Sequence, residues 1–385
     1  MLVIPDRPHA PATPAAPALS VLVAVDPVLR DAAAASLTLG APDVVVVRHD
    51  LLPDDGALRR VVVDATGVLE DETVALEHAC VSCSVREDAV PALARLADDG
   101  RWAHLVLALP VTAEPLPVAR SLAAQAEPGG VLETLRLAAT VGVVDLDALE
   151  SDLLGDDLVD ERGLALTDDD QRPVGEALAA QLEQVDVVVT SGASATGGGL
   201  VDRLRAVDSH RVEGLHDLDP VALSARSHAP AAAERRAHPL GARGARRRAK
   251  DPRDRSWSLL LRSDRPFHPE RLLAHVEDLG TGPVRSRGVF HVPNRPDSAC
   301  LWDGAGGALC VADLGTWDEV AAGHPPVTRI LVVGAGEPRD AREVHDRILD
   351  AFGEALATGA EVADGGLRWL GREDVLAPWL GTRTA

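Results

Sequence analysis

The sequence predicts an α/β protein: a mostly parallel sheet with helices on both faces, followed by a smaller α+β domain. The main observation is that short, almost wholly apolar runs alternate with stretches of helical composition from residue 20 to residue 206. This alternation is typical of a parallel sheet that is buried on both faces. The chain has 385 residues, which is enough for two hydrophobic cores. A basic stretch rich in Ala, Pro and Gly, at 224–255, separates the two predicted domains.

The first domain is predicted to span residues 19–223, after a Pro- and Ala-rich leader at 1–18 that we expect to be disordered. Its predicted strands are the apolar runs at 20–25, 43–47, 60–63, 104–108, 138–144 and 185–189. Helices are predicted between them at 29–37, 88–96, 116–125, 175–184 and from 199 onward. Asp88 is expected to be the N-cap of the second helix, and Asp168 to Asp170 should form a solvated acidic turn.

The segment 224–255 is predicted to be a flexible interdomain linker. From Arg226 to Arg255 there are ten basic and three acidic residues, 10 − 3 = +7, whereas the whole chain carries −22. The second domain, 256–385, contains predicted strands at 257–262, 289–292, 299–302, 307–311 and 329–333 and helices at 269–279 and 340–351. These elements indicate helices packed on a largely antiparallel sheet. Cys300 and Cys310 flank a predicted hairpin turn and are interpreted as small core residues.

Composition argues against several classes of protein. A charge of −22 disfavours general attraction to nucleic acid or anionic membranes, apart from the basic segment. No uninterrupted apolar run reaches 18 residues, and the first residues do not resemble a secretory signal. Four scattered cysteines do not form a disulfide framework. We therefore expect a cytoplasmic protein that does not contact membranes.

The segment from Leu76 to Val90, LEHACVSCSVREDAV, holds the strongest chemical signal in the chain. Cys80 and Cys83 are spaced so that one tight turn can direct both sulfurs at a single metal ion. The same spacing serves thiol–disulfide exchange, or the thiols are inert and buried. Two thiolates cannot complete a tetrahedral site, so a further ligand must come from His78, a carboxylate, another segment or a partner.

Three blocks of sequence resemble the CobW-like family of P-loop GTPases and zinc metallochaperones. The cysteine block reads HACVSCSVREDA where the family has N-G-C-x-C-C-T-x-R-x-D-L. Residues 112–119, TAEPLPVA, are similar to the family's segment after the Walker B strand. Residues 265–272, RPFHPERL, with the later VRSRG, NRPD and LWDGAGGAL, resemble the start of its C-terminal domain. The resemblance implies a P-loop NTPase-like fold, a CobW C-terminal domain, and zinc as the metal at Cys80 and Cys83. His78 stands where the family has Asn and is a candidate third ligand.

The chain departs from this family at the nucleotide site. Residues 24–31 read AVDPVLRD where the family has G-x-x-G-x-G-K-T, and the chain's only lysine is Lys250. A phosphate-binding loop needs glycine amides and a lysine on the β/γ oxygens. The Walker B acid is replaced by Ala108, and the guanine-reading N-K-x-D by 190–193, TSGA. We therefore expect the fold without bound GTP or Mg²⁺. Residues 195–200, ATGGGL, lack a cationic partner and are interpreted as a glycine turn.

Within the family, the C-V-S-C block and the altered P-loop resemble an actinobacterial branch that recruits ribosome hibernation factors. That resemblance implies an adaptor that brings a hibernation factor to ribosomes when zinc is scarce, with Cys80 and Cys83 sensing zinc. The basic segment would then contact rRNA or an acidic partner. The alternative hypothesis is a GTP-hydrolysing zinc metallochaperone that delivers zinc to a client protein. A redox-responsive protein that uses the two cysteines is a third.

Overall fold

The computed structural model describes residues 16–76, 78, 80–241, 251–321, 323–369 and 371–382. The strands within these residues are β1 (Ala18–Val23), β2 (Val44–Leu52), β3 (Ala57–Asp64), β4 (Gly67–Ala75), β5 (His104–Ala108), β6 (Arg136–Asp145), β7 (Val187–Ser191), β8 (His210–Glu213), β9 (Ser256–Ser263), β10 (Val284–Val292), β11 (Arg295–Ala305), β12 (Ala308–Thr316) and β13 (Thr328–Ala335).

The α-helices within the described residues vary from single turns to five turns. They are α1 (Pro27–Thr38), α2 (Val81–Ser84), α3 (Val90–Asp99), α4 (Pro115–Gln125), α5 (Leu149–Leu154), α6 (Val174–Glu183), α7 (Ala195–Leu204), α8 (Pro220–Ser224), α9 (Pro230–Ala237), α10 (Pro269–Gly280), α11 (Trp317–Ala321), α12 (Pro338–Ala355), α13 (Gly359–Val362) and α14 (Ala377–Leu380). None of these helices is both long enough and apolar enough to cross a bilayer.

The first sheet has eight strands in the order β4-β3-β2-β5-β1-β6-β7-β8. Pairing is parallel from β2 to β8, and β3 and β4 extend the sheet in antiparallel fashion. Residues 44–47 show why the apolar runs become interior strands, because all four valines are buried whichever face they point to. β1 lies between β5 and β6, where the strand order reverses, and ligands of open α/β sheets bind beyond the strand ends at such a point. The predicted α/β architecture is confirmed.

The second sheet is antiparallel throughout, in the order β12-β11-β10-β13-β9. Helices α10 and α12 lie against each other and contribute to the core over this sheet. The chain has three phenylalanines, and all of them, Phe267, Phe290 and Phe352, lie in this core, where Phe290 also packs edge-on against Trp302. In the strand register, Cys300 pairs with Asp313 and Cys310 with Asp303, so the two thiols do not face each other. Cys300 is buried and Cys310 is exposed, so the interpretation as a core residue is wrong for Cys310.

Buried charge and a glycine turn join the two sheets. Glu183, at the end of α6, accepts hydrogen bonds from Arg285 (2.8 and 2.9 Å) and Arg287 (2.6 Å) of β10. The turn between β11 and β12 fits closely against the first domain, because a Cβ on Gly306 would lie 2.4 Å from that of Pro173. Gly306 also has φ of +58°, a conformation that favours glycine.

Two elements differ from the sequence-based expectation. β4 was not predicted; it is a largely exposed, acidic edge strand. Part of the segment expected to be a flexible linker is folded, since 230–237 form α9 and Ala232 and Ala233 are buried there. Arg236 of this helix pairs with Asp186 and Asp208. Residues 242–250 of that segment, and residues 1–15 of the expected leader, lie outside the described residues.

Candidate functional site

The two cysteines meet at the start of α2. Cys80 is the N-cap residue, and its Sγ accepts a hydrogen bond from the Cys83 amide at 3.4 Å. The pKa of the Cys83 thiol is raised, chiefly by a hydrogen bond with the Cys80 thiol and then by burial. Cys83 is buried and Cys80 is half-buried, so Cys80 is the more exposed residue of the pair. Arg86 lies 3.8 Å from Cys83 Sγ.

The pair has no complete set of metal ligands within the described residues. Among them, no third His, Cys, Asp or Glu joins Cys80 and Cys83 in a group that could hold a metal ion. His78 is exposed, and its role as a ligand stays a prediction. Within the described residues, a metal would therefore meet two thiols on one turn.

The helix that follows the cysteines begins with a π-helical turn, Val85–Ala89. Such turns are rare and are frequent at functional sites. The turn directs Asp88 into the interior, where its carboxylate is 2.8 Å from His49 Nε2 and also pairs with Arg60. Burial alone would raise the pKa of Asp88, but the contacts with His49 and Arg60 lower it below its ordinary value. The expectation that Asp88 is an N-cap is wrong, because these partners on β2 and β3 hold it instead.

The β1–α1 junction, at the position of a phosphate-binding loop, is closed by the chain itself. Asp26 is the N-cap of α1, and its Oδ1 accepts hydrogen bonds from the amides of Val28 (2.7 Å) and Leu29 (3.2 Å). These are the amides that a helix N-terminus would otherwise offer to an anion. A carboxylate of the chain itself thus binds the first free amides of α1.

Arg30, the only cation in this junction, is fully engaged. Its side chain is 3% exposed and pairs with Asp50 at 2.7 Å and Asp31 at 3.1 Å. It also donates to the carbonyl oxygens of His49 (3.3 Å) and Leu109 (3.1 Å). The guanidinium therefore ties α1 to the ends of β2 and β5 and points away from the solvent. Sequence reasoning identified Arg30 as a cation but missed Asp50, which lies within β2 and belongs to no recognisable motif.

The other two positions at which the family is expected to recognise nucleotide hold a buried alanine and a stretch that lines a cleft. Ala108 is fully buried at the end of β5. Residues 190–193 line a cleft of about 1,180 Å³ at the end of β7. The amide of Ala193 in this stretch donates a hydrogen bond to Asp147 Oδ1 at 3.1 Å, so a carboxylate from the turn after β6 binds the backbone here.

The glycines of ATGGGL lie inside α7 and permit close packing. A Cβ on Gly197 would lie 2.1 Å from the carbonyl oxygen of Leu146. A Cβ on Gly199 would lie 2.3 Å from both Asp254 Oδ1 and Ser256 Oγ. The amide of Gly197 is capped by Ser194 Oγ at 3.1 Å. The segment is helix rather than turn, and its glycines bring α7 against its neighbours.

Two family profiles match this chain. The CobW/HypB/UreG nucleotide-binding domain matches residues 54–197, and the cobalamin synthesis protein cobW C-terminal domain matches residues 256–352. The first match begins after the β1–α1 junction and includes both cysteines. The second begins at the first residue of β9.

Relatives of known name are similar over most of the chain. A protein of Mycobacterium tuberculosis named as a zinc chaperone is 31% identical over 294 residues, which cover 71% of this chain and 68% of the relative. The zinc-regulated GTPase metalloprotein activator 1 of Dictyostelium discoideum is 24% identical, over 66% of this chain and 56% of its own length. Among solved structures, the Zn(II)-bound YjiA GTPase from E. coli aligns with a TM-score of 0.34 and 14% identity, over 87% of this chain and 98% of that one.

Proposed function

We propose, since this chain belongs to the CobW family, that it is a zinc-handling protein that holds the metal through Cys80 and Cys83. The observation that carries the proposal is that the two cysteines lie together at the start of α2. There the Cys83 amide donates a hydrogen bond to Cys80 Sγ. The names of two relatives, a zinc chaperone and a zinc-regulated metalloprotein activator, support zinc as the metal.

The two thiols suit zinc as cargo better than zinc as a permanent structural ion. Structural zinc sites are closed by four protein ligands, and here the described residues supply two close together. Open positions let an acceptor protein bind the metal before the donor releases it. His78, which is exposed and two residues from Cys80, is the residue of this chain proposed to provide a third ligand when zinc is present.

We propose that this zinc handling does not use GTP. Asp26 satisfies the first amides of α1, and a second anion there would meet a carboxylate. Arg30 would have to leave two carboxylates and two carbonyl oxygens to reach a phosphate. With alanine at 108, the chain also lacks the acid that would hold Mg²⁺ through water.

The finer proposal is an adaptor in the cytoplasm that recruits a hibernation factor to ribosomes when zinc is scarce. What favours it is that an adaptor needs no nucleotide turnover, in keeping with the closed β1–α1 junction. Exposed Arg235 on α9, at the edge of the basic segment, would contribute to contact with rRNA or an acidic partner. A client protein that receives zinc is the corresponding partner if the protein acts as a chaperone.

Zinc affinity of matched cysteine variants tests the proposal. Zinc is titrated in competition with a chromophoric chelator into wild type, Cys80→Ser/Cys83→Ser and Cys310→Ser. Cys310 is exposed on β12 and serves as the control. We expect one zinc per wild-type chain and a loss of more than about 100-fold in the double variant, because removing even an outer-shell group costs about 10–100-fold. Equal affinity in all three proteins would overturn the assignment.

Calorimetry with GTP and Mg²⁺ distinguishes this proposal from a GTP-hydrolysing metallochaperone. We expect no heat of binding and no phosphate release, with or without zinc. Micromolar binding together with zinc-dependent hydrolysis would establish the alternative function instead.

Affinity capture from zinc-starved and zinc-replete cells tests the adaptor. We expect ribosomal proteins to be enriched with the tagged full chain only after starvation. Their absence from both samples would remove the adaptor while leaving zinc binding intact.

A further inference from the structure

A cavity of about 520 Å³ is lined in part by Cys80. One wall is the start of α2, with Cys80, Val81 and Ser82, and the opposite wall is the first turns of α4 together with the loop that ends at Arg172. Its volume lies within the range of about 300–1,000 Å³ that is typical of ligand-binding clefts. Val85, Val118 and Leu166 make part of its lining apolar.

The polar part of this lining is net negative. It contains three carboxylates, Glu114, Asp169 and Asp170, and one guanidinium, Arg172. Arg172 is already held by Asp170, with nitrogen–oxygen distances of 2.8 and 3.0 Å, and lies 3.4 Å from Glu114. Asp170 is therefore a buried, paired group rather than part of a solvated acidic turn, and that expectation is wrong for it. Glu114 and Asp169 reach the solvent at the cavity's rim.

We propose that this cavity receives a positively charged segment of the zinc-accepting protein, whose Cys or His side chain binds the metal next to Cys80. The inference rests on the proposed function and names the partner of the same site. Three features support it: the metal positions that the described residues leave open, the exposure of Cys80 relative to Cys83, and the negative rim. Complementary charge of this kind sets the partner and the rate of association more than the affinity.

The transfer is a ligand exchange without redox chemistry. The acceptor thiol gives up its proton as its sulfur bonds to zinc, and the zinc–sulfur bond to Cys80 breaks. The released Cys80 thiolate takes up a proton, so charge and atoms balance. The same exchange at Cys83 completes the release. An acceptor histidine would bind as neutral imidazole and require no proton loss.

Zinc transfer from the loaded full-length protein to two synthetic peptides tests the inference. Each peptide carries a Cys-X-X-Cys pair and a fluorophore that responds to zinc, one with lysine flanks and the other with glutamate flanks. We expect the lysine-flanked peptide to accept zinc about tenfold faster, because steering by charge raises association rates by about 10–10³.

Variants of the rim provide the matched comparison. Glu114→Gln/Asp169→Asn should slow transfer to the lysine-flanked peptide by about fivefold, since two of the steering charges are lost. Asp168→Asn removes an exposed charge from the same loop but not from the cavity, and should leave the rate unchanged. Equal rates for the two peptides, or equal slowing in both variants, would overturn the inference.

Chelator competition on the same proteins separates this inference from the proposed function. We expect Glu114→Gln/Asp169→Asn to bind zinc as tightly as wild type. If zinc affinity falls with the rate, the carboxylates act as ligands and the docking role is overturned. If wild type binds no zinc, the proposed function fails and the docking role fails with it. If zinc binds but the peptides do not differ, only the docking role fails.

Discussion

Asp26 binds the first amides of α1 at the β1–α1 junction through two hydrogen bonds. Its carboxylate accepts from Val28 and Leu29 in the first turn of α1, so it stabilises the helix in the manner of any acidic N-cap. The same two bonds remove the donors that a phosphate would need. One side chain thus accounts both for the stability of α1 and for the proposed loss of nucleotide binding.

Replacing Asp26 with alanine should therefore destabilise the protein without creating a nucleotide site. We expect the free energy of unfolding to fall by about 1 kcal/mol, the usual cost of losing an N-cap, as measured by urea denaturation. Asp98→Ala, an exposed position in the last turn of α3, should change it by less than about 0.5 kcal/mol. If Asp26→Ala bound GTP, the prediction that Arg30 cannot reach a phosphate would be wrong.

Buried His104 is expected to make the free energy of unfolding depend on pH. It is buried at the start of β5, with Nε2 2.9 Å from Ser20 Oγ, and burial lowers its pKa from 6.5 to about 4. The unfolded chain takes up this proton below about pH 6.5, whereas the folded chain resists until about pH 4. The contribution is therefore fully present above pH 6.5 and is lost as pH falls towards 4.

We expect His104 to account for about 3 kcal/mol of the stability lost between pH 6.5 and pH 4, at 1.36 kcal/mol for each pKa unit. Urea denaturation of wild type and His104→Gln at pH 7, 6 and 5 measures it, and the variant should show the flatter dependence. His324→Gln, an exposed control, should follow the wild type. Parallel curves for wild type and His104→Gln would contradict the prediction.

At the scale of elements, the π-helical turn links the cysteines to the large sheet. The turn begins immediately after α2 and directs Asp88 towards His49 on β2 and Arg60 on β3. Because Asp88 is 3% exposed and paired on two sides, the position of Cys83 relative to the sheet depends on this contact.

Asp88→Asn should weaken both the fold and zinc binding. Removing one partner of a buried ion pair costs about 3–5 kcal/mol, and we expect about 3 kcal/mol here by urea denaturation. Chelator competition should show weaker zinc binding, since the turn that carries Cys83 loses its anchor. Asp99→Asn, at the exposed end of α3, should change neither quantity. If Asp88→Asn bound zinc as tightly as wild type, the contacts of Asp88 would not matter for zinc binding, and this prediction would be wrong.

The sequence predicts some elements closely and others not at all. The run at 104–108 coincides with β5, and all five of its residues are buried. Strands buried on both faces are expected to be short continuous apolar runs, so this one could be read from the sequence. β4 was not predicted, because its acidic residues 70–72 do not resemble a strand. The residues that stabilise them lie on the neighbouring strand β3, where Arg59 is 2.6 Å from Asp71. Asp88 was misplaced for the same reason, because its partner His49 lies 39 residues away.

For the candidate site, local spacing was informative and distant contacts were not. Two residues between Cys80 and Cys83 are enough to predict that the thiols lie on one turn, and they do. The absence of lysine and glycine at 24–31 is likewise visible in the sequence. That Asp50 captures Arg30, or that a cavity opens beside Cys80, depends on how β2 and α4 pack, which no local pattern encodes.

At the scale of the whole molecule, Glu183 is the charge that holds the two sheets together. It is buried with Arg285 and Arg287, and although burial alone would raise its pKa, the two guanidinium groups lower it. The glycine turn at Gly306 fits against Pro173 near the same seam. The interface between the two sheets therefore contains buried charged side chains, and leaving any of them unpaired would destabilise the fold.

Glu183→Gln should loosen this seam, because two buried guanidinium groups lose a shared anion. We expect the melting temperature in a calorimetric scan to fall by roughly 6–12 °C, as a loss of about 3 kcal/mol implies for a domain of 150–250 residues. Glu343→Gln, whose side chain is 72% exposed on α12, is the control and should leave the scan unchanged. An unshifted scan for Glu183→Gln would show that other contacts, such as those of Arg203 with Ser256, hold the two sheets without this ion pair.

The carboxylate of Asp26 has a consequence for timing. An anion that is covalently part of the chain cannot be hydrolysed, exchanged or diluted, and its local concentration exceeds that of any free nucleotide. A helix start that waits for GTP can be empty, loaded or spent, and a cell can use that succession as a clock. In the function proposed here α1 runs no such cycle, and we expect the signal that changes this protein to arrive by another route, through the proposed metal or through the partner that binds beside it.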